Sequence, residues 1–260
     1  MRENGEGLRW ADSGLMLACA GLAAARPVEI LVFAYAVLGP AHYLTQISWL
    51  SDRDFDAARR SDGWVLGAFT LALALVGMRP DSPWWGAAVG WGVAAAFVAS
   101  PMIKSLAAIC GGVVAWLLAS RGWTLWALLL PSLIHVYAFT ALFLWSGARR
   151  ERTAGALAGA VVHLACGALL LFMIPTGAGL PAFMREPLGF FLPVAGSVLA
   201  HLGRSGWPAT SGILAFMAFA YLYHYLNWFS KAGFLGWHRV SRARAAALTG
   251  AYAFFLALYA

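Results

Sequence analysis

Residues 28–50 read VEILVFAYAVLGPAHYLTQISWL. The run is apolar almost throughout, interrupted by Glu29 at its start and by His42 and Gln46 towards its end. At a rise of 1.5 Å per residue, such a helix is about 35 Å long, enough for a hydrocarbon core of about 30 Å. Its apolar residues are continuous, so the alternation of a barrel strand is absent. Only helices and closed barrels satisfy their backbone inside lipid. The stretch therefore predicts a transmembrane helix.

Working outward, the same pattern recurs. Apolar windows lie at 8–24, 63–78, 84–100, 102–120, 123–147, 154–175, 207–231 and 245–260. The sequence predicts an all-α polytopic transmembrane bundle of eight or nine spans, as one integral membrane domain over residues 1–260. Composition agrees: 62% of the 260 residues are hydrophobic and 11% charged. A soluble domain has about 45–50% and about 25%. Mean hydropathy is +0.72. A soluble enzyme, a disordered chain and a disulfide scaffold are excluded. Cys19, Cys110 and Cys166 lie in apolar runs without paired spacing and read as small buried hydrophobes.

The formal charge of +7 serves topology. With the N-terminus cytoplasmic, as in a bacterial-type inner membrane, alternating sides places 13 basic residues inside and 5 outside. That bias also decides residues 176–206. A full span over 188–202 would put the basic stretch 231–244 outside. The region is therefore expected to be an outer re-entrant or interfacial hairpin, with Pro181, Pro187 and Pro193 breaking its helix. The first ten residues lack a signal-peptide pattern, so the first segment is read as a retained helix. The basic loops flank the bilayer, so lipid headgroups are the expected partner rather than nucleic acid.

Ionisable residues inside a membrane mark function by default. Four histidines meet that description: His42, His135, His163 and His224. Counted from the inner ends of their helices, all four fall at roughly 10–21 Å. Neutral imidazole is the commonest metal ligand, so the four are expected to ligate one metal, one per helix. Gln46, one turn after His42, and Asn227, three residues after His224, are polar groups that need partners. They are expected to hold an imidazole N–H or a bound water at the cofactor. Tyr43, Tyr137, Tyr223 and Tyr225 are expected to shape the pocket or position oxygen, and Gly159 and Gly167 to let a neighbour approach His163. Trp49, Trp145 and Trp228 read as interfacial anchors. Carboxylates are scarce at this depth, which points away from a carboxylate-rich di-iron site. An all-imidazole site suits iron with open positions, zinc or copper.

Gly39-Pro40-Ala41-His42, Leu133-Ile134-His135 and Tyr223-His224 resemble the scattered histidine motifs of the Brp/Blh-type membrane carotenoid-cleaving dioxygenases. The resemblance implies a polytopic helical fold, a four-histidine non-haem iron and oxidative cleavage of β-carotene. His42 is followed here by Tyr43-Leu44-Thr45-Gln46 rather than by the family's Gly and Asp, and Trp228 stands where a late histidine would be, so His163 would complete the set. The leading expectation is a metal-dependent membrane oxygenase acting on a carotenoid, isoprenoid or acyl chain, with room for a membrane protein partner. The alternatives are a haem- or pigment-binding subunit, and a transporter or structural membrane subunit.

Overall fold

The computed structural model describes residues 2–53, 61, 62, 65, 68, 83–97, 100–120, 132–172 and 207–257. The described residues contain helices and no strand. The chain divides into two compact units, Met1–Gln46 with Ser132–Ala260, and Ile47–Pro131. Three helical stretches are long and apolar enough to cross a membrane: Pro27–Ser51, Pro101–Ser120 and Ala154–Phe172. The expected span over 63–78 lies largely, and the stretch 123–131 of the span over 123–147 and the hairpin over 176–206 lie wholly, outside the described residues.

The first unit opens with α1 (Arg2–Ala25). Pro27 then starts α2 (Pro27–Phe33), where its missing N–H costs nothing. A π-helical turn, Ala34–Leu38, joins α2 to α3 (Gly39–Ser51). Its cause is Pro40, which has no N–H for the ladder and crowds the preceding turn. The Gly39 N–H reaches Ala34 O, five residues back. A second π segment, Ile134–Phe139, contains His135 and runs into α6 (Thr140–Glu151), numbered after the two helices of the other unit. Then come α7 (Ala154–Phe172), α8 (Trp207–Ser230), the short α9 (Ala232–Leu235) and α10 (Arg242–Ala257).

Helix α8 is the core. Its residues from Ser211 to Tyr225 are buried apart from Phe216 and His224, which are partly so, and it packs on α1, α2, α7 and both π segments. This central position lets its tyrosines find partners on other helices: the Tyr221 hydroxyl lies 2.9 Å from Ser132 Oγ, and that of Tyr223 donates to Asp12. By contrast α10 has no buried residue and is tied back by the Tyr252 hydroxyl donating to Val37 O at 3.2 Å. It begins three residues before the expected position because Ser241 caps it, its Oγ accepting from the Arg244 N–H.

The second unit pairs α4 (Pro83–Phe97) with α5 (Pro101–Ser120). Gly86, Gly90 and Gly111 lie where a Cβ would strike the backbone of the facing helix. Small residues thus set the helix spacing, as in membrane bundles generally. Lys104 forms a buried ion pair with Asp62, both almost fully covered. Although grouped with the inner basic residues by sequence, it is a structural charge rather than a headgroup contact. Cys110 on α5 is exposed, whereas Cys19 and Cys166 are buried as expected.

Candidate metal centre

Three of the four histidines singled out by the sequence meet. His42 on α3, His135 on the second π segment and His224 on α8 each offer a ring nitrogen, and the three nitrogens lie within 4.8 Å of one another. The His224 ring is 4.9 Å from that of His42 and 5.1 Å from that of His135, steeply inclined to both. Two of these residues sit beside or within a π-helical turn. Such turns interrupt the regular helix face and recur at functional sites.

The surroundings fix the rings. His42 is buried between Tyr225, at 4.9 Å, and the edge of Trp228, at 5.4 Å, with Tyr43 at 5.4 Å on a more exposed side. Trp228 donates from Nε1 to Thr45 Oγ1 at 3.0 Å. Thr45 directs its own proton back to Ala41 O, at 2.8 Å, or His42 O, at 3.0 Å. Thr140 repeats the device. Its hydroxyl donates to Val136 O at 2.9 Å and lies 3.2 Å from His224 Nδ1. A hydroxyl has one proton and two lone pairs. With the proton spent on Val136, the Thr140 oxygen accepts from His224, so Nδ1 carries the hydrogen and Nε2 presents a lone pair. That Nε2 is buried without a protein hydrogen bond; the ring nitrogens of His42 make none of normal geometry, with the Gln46 side chain interacting beside them. Buried ring nitrogens without a protein hydrogen bond suit an ion or a water as their partner. The donors fit a first-row transition metal, for which three imidazoles leave open coordination positions.

A cavity of about 230 Å³ adjoins the cluster, lined by His42, His224, Gln46, Asn227 and Thr140 among others. Asn227 Oδ1 is buried without a partner. Gln46 and Asn227 therefore stand where the sequence placed them, at the histidines. Tyr225 and Tyr43 do too.

His163 and Tyr137 do not. His163 is fully buried on α7, with its Nε2 3.3 Å from Tyr137 O and its ring stacked on Tyr137 at 4.6 Å. It faces Phe219 and Tyr223 of α8, whereas the three-histidine cluster uses the stripe carrying His224 and Trp228. His135 and Tyr137 are two residues apart on a helix, hence on nearly opposite sides. Tyr223 points away as well, donating to Asp12 at 3.1 Å. Of the four histidines expected to converge, three lie together among the described residues and His163 is buried apart from them. Gly167 accommodates Tyr137, since a Cβ there would overlap the phenol. Gly167→Ala is expected to cost about 1–3 kcal/mol through overpacking, read as a lowered unfolding temperature in detergent.

Sequence reading missed Thr45, Thr140 and Trp228 as site residues. The available signal was spacing: Thr45 is three residues after His42, and Trp228 four after His224. For Thr140 no sequence signal existed, because its partner comes from another helix.

Among the described residues the chain is helical, with three helices long and apolar enough to cross a membrane and a partly buried three-histidine cluster. The chain matches no model of a known protein family, no curated protein and no solved structure.

Proposed function

We propose that this protein is an integral membrane metalloenzyme in which His42, His135 and His224 hold one iron ion and which acts oxidatively on a lipophilic substrate. The observation that carries the metal is the convergence of three imidazole nitrogens, with orphaned atoms on His42 and His224. The bundle is read as eight or nine spans with a cytoplasmic N-terminus, placing the cluster inside the bilayer. Bound there, iron would supply reactivity toward dioxygen through its open positions. The chain's own groups do the rest. Gln46 and Asn227 present polar atoms to the cavity, Tyr225 and Trp228 clamp the His42 ring, and Phe143 and Leu144 give an apolar wall. The choice of iron and oxidative chemistry rests on the resemblance to membrane carotenoid dioxygenases; the absence of any carboxylate from the cluster is consistent with it.

Elemental analysis of protein purified without chelator is the test. One iron per chain is expected, with dioxygen uptake on addition of an oxidisable lipid. Zinc at that stoichiometry would overturn the oxidative half and redirect the site to hydrolysis. Absence of metal, with normal activity in His42→Ala and His135→Ala, would overturn the whole. A Soret band would reassign the histidines to haem.

A further inference from the structure

The cavity beside the histidines is polar at one end in a way that a hydrocarbon substrate does not use. Besides His42 and His224, its lining includes Arg9 of α1 and Lys231 just beyond α8. Lys231 follows His224 by seven residues, an axial offset of about 10 Å on a helix. Asn227 lies between them, one turn from each, with its Oδ1 unpartnered. Phe143, Leu144 and Trp228 supply apolar wall. Of the nearby carboxylates, Glu151 accepts from Arg9 Nε at 3.0 Å, and Asp12 accepts from Tyr223 while its charge also acts on Lys231. Among the described residues, Lys231 Nζ makes no ion pair or hydrogen bond. A cavity with an exposed ammonium at its rim, a second cation fixed beside it and an apolar interior is complementary to an amphiphile.

We propose that the cavity binds a single-chain amphiphile with an anionic oxygen headgroup, carboxylate or phosphate, held at Lys231 beside Arg9, its chain entering toward His224. The inference rests on reading this cavity as the substrate site and narrows the substrate class. It places the carbon facing the imidazoles about 10 Å from the headgroup. Lysine suits this role as a compact charge able to meet either headgroup.

The test is photolabelling of the purified full chain, in nonionic detergent, by a decanoate carrying a terminal diazirine, with adducts mapped by mass spectrometry. Adducts are expected within residues 140–147 and 224–231. Decanoate and decyl phosphate should compete; methyl decanoate and inorganic phosphate should not. Lys231→Gln should weaken labelling about tenfold, the scale of one charge-assisted contact, while Lys231→Arg retains most of it and both keep their metal content. Equal competition by the methyl ester, indifference to Lys231→Gln, or adducts confined to other helices would overturn the proposal. Competition by inorganic phosphate as strong as by decyl phosphate would also overturn it, in favour of a soluble anion. Metal content separates the two readings. Metal-free protein with the expected labelling keeps the amphiphile site and sinks the metalloenzyme; metal-loaded protein with charge-blind labelling does the reverse.

Discussion

His224→Ala is expected to lower metal content from one ion per chain to near background, whereas His163→Ala keeps the metal. His224 is the member of the cluster whose ring lies near both of the others. A structural zinc site is worth about 10–16 kcal/mol, usually over four ligands. One imidazole is then about 3–4 kcal/mol, or a few hundredfold in affinity. With three protein ligands, none can be spared. His163 makes the control demanding, because it is more deeply buried, yet it stacks on Tyr137. Its replacement should lower thermal stability and leave the bound metal in place. Equal metal loss in both variants would mean that all four histidines act as one set. Full retention in His224→Ala would remove the cluster from consideration as a metal site. Inductively coupled plasma analysis, alongside size-exclusion profiles to confirm folding, reads both outcomes.

The contrast between His224 and His163 also marks how far sequence could reach. Apolar windows identified the helical class, and the windows at 28–50, 102–120 and 154–175 correspond closely to helices long and apolar enough to cross a membrane. Counting along each helix from a charged end picked out His42, His135 and His224, which do lie together. Azimuth was not legible. Whether His163 faces His224 depends on which stripe of α8 meets α7, and that follows from close packing. Gly159 lies against Ser13 and Met16 of α1, while Gly167 makes room for Tyr137. The π turns compound this. Pro40 announces a distortion, but nothing in the run around His135 announces one, and each turn resets which residues share a face. Buried hydroxyls were hidden for a third reason. Thr45 and Thr140 satisfy local carbonyls, so in sequence they look like ordinary helix residues.

Thr140→Val tests the least visible of these contributions and is expected to weaken metal binding about 10- to 100-fold, the usual scale for a partner that orients a metal-ligating histidine. Valine keeps the shape of threonine and removes both of its bonds. Val136 O loses the donor that the π segment relies on, and His224 Nδ1 loses the acceptor that fixes its hydrogen. The imidazole can then place its hydrogen on Nε2, and in that tautomer Nε2 has no lone pair for a metal. Thr140→Ser restores the hydroxyl and should recover most of the affinity. Thr45→Val is the matched control. It removes the Trp228 bond beside His42 but leaves His224 untouched, so its effect should be several-fold smaller. Cobalt titration followed by visible absorption measures all three variants. Unchanged affinity in Thr140→Val would mean that His224 does not bind through Nε2. A loss in Thr140→Ser as large as in valine would assign the effect to the methyl group and packing, because the hydroxyl that orients Nδ1 would still be present.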